Sequence, residues 1–516
     1  MASQIEQLHF LVVPLMSQSH LIPMTDFAKL LAQRGLAVTI ITTPLNAARF
    51  QPIVDRAVAA NLKLRLVPLK FPCSQAGLPP GSENMDTLTS PNQATQFFQA
   101  SSMLQDHLEK LVSGLEPRPS CFVTSNAVPW MAQVGRKFNI PTYVFNAISC
   151  FSLVCSNRID SMDEELFDSE KPILLPNLPH RIELTKSQLP RSIRKDSDKL
   201  DGLLDQMKAA LLSAEGVLVN SFEEMELGYV EEYRKVKKKT WCIGPVSLCN
   251  KELLDKFGRG NKNSVDEHRC LSWLDNRSNN SVIYTCFGSL CHIPTDQLIE
   301  IGLGLESSNR PFIWIIRETD YSPEIQKWLE EERFEERNKE KGLIIHGWAP
   351  QILILSHPAV GGFLTHCGWN STLEGISAGV PMITWPMFAE QFYNEKVVTQ
   401  VLRIGVRISV EVGMKRGGVE EKGEVMVKRE EIKRAVDRLM DEGEGGVQRR
   451  ERARELEEMA KRAVEEGGSS HWNMTLLIQD VIEQMKNRRG PIQEDMDRPH
   501  PVRSLHPFSA QVASHG

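Results

Sequence analysis

The sequence predicts an α/β protein of two doubly wound, Rossmann-like domains facing a central cleft, and three observations carry that prediction. A chain of 516 residues is too long for one hydrophobic core and calls for two or three domains of roughly 100 to 250 residues each. Short apolar runs with the character of strands buried on both faces alternate with helix-length segments, as in a parallel sheet covered on both sides. The alternation occurs twice, and a polar, Gly- and Asn-bearing stretch from about 246 to 265 separates the two series.

The first series opens with the run His9 to Leu15, the loop Met16 to His20, a helix to about Arg34 stopped by Gly35, and the run Leu36 to Thr42. The loop lacks Gly-x-Gly-x-x-Gly, which argues against a dinucleotide site at the first strand. Runs at 62–69, 121–124, 142–145 and 216–220 follow, with helices near 92–115 and from Pro129, until the pattern pauses at Trp241 to Pro245. The second series has runs at 282–286, 312–316, 343–345, 362–364 and 381–384, each followed by a helical segment. Beyond a charged loop at 411–428, two charge-rich helices reach about Glu466, and Ser469 or Ser470 caps a last helix. The expected boundaries are a domain at 1–245, a linker at 246–265, a domain at 266–468, a helix at 469–489 and a disordered tail at 490–516.

Composition narrows the function. A formal net charge of −6 gives no basic footprint for nucleic acid. The ten cysteines include no Cys-x-x-Cys pair and no regular spacing, which argues against a disulfide framework or a zinc site and for a reducing compartment. No run approaches the roughly 18 apolar residues needed to span a bilayer, and the N-terminal apolar stretch is too short for a signal peptide, so a cytoplasmic protein is expected. Asp196-Ser-Asp198 and Asp495-Met-Asp497 follow no strand, so no metal role is assigned to them.

The 44-residue stretch from Trp348 to Gln391 contains no Lys or Arg and only two acidic residues, Glu374 and Glu390. It reads as a ligand site that handles negative charge with backbone dipoles and histidine. Thr365 to Ser371 follows a buried strand and begins a helix, whose first-turn N–H groups and positive dipole end form an anion site. His366, Asn370 and Ser371 stand there to hold a pyrophosphate. Glu374, one turn deeper on the same face as Asn370, offers a carboxylate to the vicinal hydroxyls of a ribose. Trp348 emerges at the same sheet edge as a stacking platform for a base. Glu390 and Gln391 reach that edge with groups suited to sugar hydroxyls. A Trp after a strand is more often core, and Asn-Ser at a helix start is usually only a cap; the ordered set is what carries the reading.

This block resembles the signature box of plant UDP-sugar-dependent glycosyltransferases that modify small molecules, matching from its first Trp to its last Gln. Gly77-Leu-Pro79, Glu83-Asn84 with Asp86, Trp241 to Pro245, Phe287-Gly-Ser289 and Gly467 to Ser470 also resemble that family, weakly favouring its flavonoid and triterpenoid branch. The resemblance implies a GT-B fold, a UDP-sugar in the C-terminal domain, an apolar acceptor in the N-terminal domain, no metal or cofactor, and inversion at the anomeric carbon; a monomer is expected. It implies Trp348 at the uracil, Gln351 and Glu374 at the ribose, Ser289, His366, Asn370 and Ser371 at the phosphates, and Glu390 and Gln391 at the sugar, with Ala349 and Trp369 also among the donor-binding residues. Trp369 and the closing Gln391 resemble glucose users, and a glucuronate carboxylate would want a cation that the block lacks.

His20 matches the family's general base, and an unperturbed pKa near 6.5 suits that task. Ser19 stands where many relatives have Gly. At Thr124-Ser-Asn126 the family usually places an Asp; Asn126 is expected to hold the imidazole without a charge to offset imidazolium, and in a serine protease the equivalent change costs about 10⁴ in turnover. The acceptor is expected among mostly apolar loops that include Met16, Ser19, Phe145 and Phe388. The expected reaction is glucosyl transfer from UDP-glucose to a hydroxyl of a flavonoid, triterpenoid, steroid or other phenolic. The alternatives are another sugar, a C- or N-glycoside, or a weakly active UDP-sugar-binding protein.

Overall fold

A computed structural model describes residues 8–90, 92–163, 171–189, 201–408 and 427–489. The expected charged loop up to residue 426, the expected tail and both Asp-x-Asp strings lie outside the described residues.

The first sheet contains β1 (His9–Val13), β2 (Ala37–Thr42), β3 (Leu64–Pro68), β4 (Cys121–Ser125) and β5 (Thr142–Asn146). The short β6 (Ile173–Leu174) and β7 (Glu183–Leu184) pair with each other, and β8 (Gly216–Val219) and β9 (Thr240–Cys242) complete the first sheet. Its order is β3-β2-β1-β4-β5-β8-β9, all parallel. β9 forms where the sequence alternation pauses, because three residues are enough for an edge strand.

The second sheet contains β10 (Val282–Cys286), β11 (Phe312–Ile316), β12 (Gly342–His346), β13 (Val360–Thr365), β14 (Met382–Thr384) and β15 (Gly405–Arg407). Its order is β12-β11-β10-β13-β14-β15, again all parallel. The five runs of the second series are all strands. The sixth, β15, escapes a reading by hydrophobic runs because Gly and Arg flank its single Val.

Three helices position the site: α1 (Gln18–Gln33), α2 (Trp369–Ser377) and α3 (Ser469–Arg489). α1 ends as expected at Gly35, whose φ of 83° is a left-handed conformation that a side chain resists. α3 follows the second domain yet packs on the first. Its Met474, Leu477, Ile478 and Val481 join Phe10, Tyr143 and Trp241 in one core, and Tyr143 donates its hydroxyl to Asp480 at 2.7 Å.

The domains also touch directly across the cleft. Trp369 Nε1 donates to the Asn220 carbonyl at 2.7 Å, Asn370 Nδ2 to the Ser19 carbonyl at 2.8 Å, and Ser152 Oγ to Asn394 Oδ1 at 3.0 Å. All ten cysteines are free, with Cys286 alone not fully buried. Among the described residues no helix is long and apolar enough to cross a membrane.

Candidate active site

Strand order reverses between β1 and β4 in the first sheet and between β10 and β13 in the second. Open α/β sheets bind ligands beyond the carboxyl ends of their strands at such reversals. The registers Val13↔Thr124 and Cys286↔Thr365 bring the paired strand ends level, so the loops that follow emerge side by side. His20 and Asn126 leave the first reversal, Ser289 and His366 the second, and all four line one cavity of about 1340 Å³.

On the C-terminal side, α2 starts at Gly368 with no side-chain cap and no acidic residue in its first turn, leaving its positive end for an anion. The His366 ring is wedged between two glycines; a Cβ at Gly288 or Gly368 would come within 2.5 or 2.4 Å of it. Burial first, then the nearby Arg317, pulls the His366 pKa down to about 4 against an opposing backbone contact from Cys286, so the ring is neutral at pH 7. His366 Nδ1 and Asn370 Oδ1 are buried and have no hydrogen-bond partner among the described residues. Buried polar atoms of this kind are what a polar ligand satisfies.

Gln351 donates to Ser371 Oγ at 3.1 Å and to Glu374 Oε2 at 2.7 Å, and accepts from the Tyr284 hydroxyl at 3.3 Å. Trp348, Ala349, Glu390 and Phe388 line the same cavity. Gln391 also lines it; its Oε1 accepts from the Met387 and Phe388 N–H groups at 2.8 and 3.0 Å, and its amide nitrogen meets Cys291 Sγ, also in the cavity lining, at 4.0 Å. Trp369 reaches the cavity wall while remaining 2% exposed, its indole set in the second domain's core.

On the N-terminal side, His20 Nδ1 lies 2.9 Å from Ser125 Oγ. Asn126, expected to hold the imidazole, is not its hydrogen-bond partner among the described residues; Ser125 is. The Asn126 N–H donates to the Phe145 carbonyl at 3.3 Å, which turns the chain toward β5 and leaves Ser125, the last residue of β4, beside His20. Ser125 Oγ also accepts from the Ala127 N–H at 3.1 Å and lies 3.5 Å from Asn126 Oδ1. Burial alone lowers the His20 pKa from its ordinary 6.5 to about 4. Ser125 escaped the sequence reading because nothing in sequence marks it as a neighbour of a residue 105 positions away.

Two acceptor residues are also corrected. Phe145 is fully buried and packs on Phe27 at 5.7 Å, because the strand pleat turns it inward and presents Asn146, Ala147 and Ile148 instead. Met16 is buried in the first domain's core, where its sulfur meets the Thr42 hydroxyl at 3.9 Å; Ser19 does line the cavity. The stretch from Trp348 to Gln391 holds no cation of its own, and two arginines from outside it stand beside its residues. Arg317, just past β11, donates to the Ser289 carbonyl at 2.7 Å, and Arg259 of the linker pairs with Glu374.

Residues 256–440 match the family model of UDP-glucoronosyl and UDP-glucosyl transferases. UDP-glycosyltransferase 73C5 of Arabidopsis thaliana is 48% identical over 481 residues, 92% of this chain and 97% of that protein. The chain belongs to the UDP-glycosyltransferases. UDP-glycosyltransferase 73E1 of Stevia rebaudiana is 51% identical over 93% of this chain and 97% of its own length. The crystal structure of Glycyrrhiza uralensis UGT73P12, complexed with glycyrrhetinic acid 3-O-monoglucuronide, superposes with a TM-score of 0.86 at 36% identity, covering 95% of this chain and 98% of that one. That of Phytolacca americana UGT2, complexed with UDP-2fluoro-glucose and pterostilbene, gives 0.71 at 26% identity over 92% and 99%. The GT-B architecture is therefore shared with plant UDP-glycosyltransferases. The enzyme is a glycosyltransferase whose UDP-sugar is a donor substrate and not a bound cofactor.

Proposed function

We propose that this UDP-glycosyltransferase transfers glucose from UDP-glucose, with inversion, to a hydroxyl of an apolar small molecule of the flavonoid, triterpenoid or phenolic kind, giving a β-glucoside. The observation that carries this is the meeting of both switch points on one cavity, with His20 on one wall and the uncapped start of α2 on the other. Residues 1–245 bind the acceptor, and 266–468 bind the donor. Trp348 and Ala349 take the uracil, Gln351 and Glu374 the ribose, Ser289, His366, Asn370 and Ser371 the diphosphate, and Glu390 and Gln391 the sugar. Ile22, Ala147, Ile148, Leu153, Met207 and Phe388 give the acceptor an apolar enclosure.

The acceptor oxygen attacks the anomeric carbon as the bond to the diphosphate breaks, and its proton passes to His20 Nε2. Ser125 fixes the tautomer that allows this. Its oxygen accepts from the Ala127 N–H, and with its hydroxyl hydrogen turned toward Asn126 Oδ1, 3.5 Å away, its other lone pair is free to accept Nδ1–H of His20; in that proposed tautomer Nε2 is the base. The departing UDP carries new charge that the α2 dipole and first-turn N–H groups stabilise. With no carboxylate on His20 and a pKa of about 4, the base is weak, which favours acidic acceptors such as phenols over alcohols.

Of the cations in the cavity lining, Arg49 pairs with Asp86, Arg317 with Asp320, Arg259 with Asp26 and Glu374, and Lys208 with Asp160, which supports a neutral hexose over a glucuronate, although Lys256 and Lys262 also line it. An acceptor panel incubated with UDP-glucose, UDP-galactose and UDP-glucuronate and read by mass spectrometry tests the proposal. A hexose added to phenolic acceptors from UDP-glucose is expected. UDP-glucose binding without acceptor-dependent UDP release would leave only a binding protein.

A further inference from the structure

The linker does more than join the domains. After the short helix Leu253–Phe257, the turn from Gly258 to Ser264 lies along the residues proposed to hold the nucleoside. Arg259 is 9% exposed and spends its whole guanidinium on two buried carboxylates, Asp26 of α1 at 2.8 Å and Glu374 of α2. The Arg259 carbonyl accepts the Trp348 indole N–H at 3.2 Å. Gly260, at φ 91°, lies so close that a Cβ there would come within 2.4 Å of the Trp348 ring. Ser264 closes the far side, its N–H donating to the Trp348 carbonyl at 2.9 Å and its hydroxyl accepting the Trp348 N–H at 3.1 Å. The turn is itself anchored to the first domain, where Gln18 donates to Asn261 at 2.6 Å and Asp255 pairs with Lys29 and Arg56.

We propose that this linker turn is the third wall of the nucleotide subsite, and that Arg259 is a positioning residue that aims Glu374 at the ribose while its backbone and Gly260 fix the plane of Trp348. The inference rests on the reading that uracil and ribose lie at Trp348 and Glu374. Glu374 can serve both partners. A carboxylate offers about four lone-pair sites; Arg259 uses one on Oε1 and Gln351 one on Oε2, which leaves two for a vicinal diol. A carboxylate this deeply buried is strongly penalised without a fixed cation, and a guanidinium forked between two of them holds a defined geometry that a lysine cannot. Arg259 reaches Asp26 on the helix that carries His20, so the ribose carboxylate is tied to the helix of the catalytic base.

The test compares full-length wild type with R259M, which keeps the stem and removes the charge, and R259K. UDP affinity is read by calorimetry and rates at saturating acceptor. R259M is expected to raise the UDP Kd and the UDP-sugar KM by about tenfold or more, the usual scale for a lost hydrogen bond to a charged group, with acceptor KM unchanged. R259K is expected to recover part of that loss. R259M added to E374Q is expected to weaken UDP binding no further than E374Q alone. A folded R259M with unchanged or tighter UDP binding, or full additivity with E374Q, overturns the proposal.

Should R259M fail to fold, hydrogen exchange on wild type decides. UDP is expected to protect the amides of 260–264 together with those of 366–374, and protection of 366–374 alone overturns the proposal. A wild type that does not bind UDP brings down the donor-site reading and this inference with it.

Discussion

The two strand-order reversals of this enzyme are alike in geometry and different in how sequence encodes them. Beyond β10 and β13 the residues proposed to hold the donor come from a nearly continuous stretch, Trp348 to Gln391, with Ser289 the main outlier. Beyond β1 and β4 the proposed acceptor side is assembled from the loop at Ser19 and His20, the end of β4, the Asn146 to Ile148 turn and the helices Cys150–Asp160 and Asp201–Ser213. A diphosphonucleoside presents a fixed pattern of base, ribose and phosphate, and one stretch of chain can match it. An apolar acceptor presents mostly shape, which many dispersed side chains can enclose.

Variants on the two sides should separate cleanly in kinetics. Glu374→Ala, which removes a charged acceptor of two hydrogen bonds, is expected to raise the UDP-sugar KM about 100-fold, or about 2.7 kcal/mol, and leave the acceptor KM alone. An equal change in both constants would erase the distinction between the walls. Ser125→Ala on the opposite wall should lower kcat about tenfold while UDP affinity measured by calorimetry stays constant, because only the imidazole tautomer is released.

Asn126→Asp sharpens the comparison further. His20 must be neutral to accept a proton, so the acid limb of kcat/KM is expected near pH 4 in wild type. A carboxylate placed beside Ser125 favours imidazolium and raises that pKa, so the limb should move to higher pH and alcohols should gain more rate than phenols. A limb that stays put would show that position 126 does not communicate with His20. The smallest effect is expected from Phe388→Ala, which should raise the acceptor KM by about threefold to tenfold through lost apolar contact and leave the UDP-sugar KM unchanged.

What sequence revealed follows the same division. Most of both sheets was legible because strands buried on two faces read as unbroken apolar runs, as in β1, buried at every position; the short edge strands β9 and β15 were not. The wall proposed for the donor could be read as one block because its residues are contiguous in sequence, and most of them line the one cavity. Ser125 was not, since a serine beside an asparagine at a strand end gives no hint of which side chain the pleat presents to a distant histidine. Phe145 and Met16 failed for the related reason that a loop's apolar residues divide between cavity and core only after packing. Arg259 was invisible because a lone arginine in a polar linker reads as solvated, and its partner Glu374 lies 115 positions away.

The proposed reaction divides its labour across the cleft, with the base on one wall and the leaving-group site on the other. His20→Ala measures it most directly, with UDP-glucose turnover on a phenolic acceptor and UDP affinity determined on the same preparation. The expected result is a rate lower by about 10² to 10⁴-fold with UDP bound as tightly as by wild type. Retained turnover, or UDP affinity lost in step with rate, would contradict it.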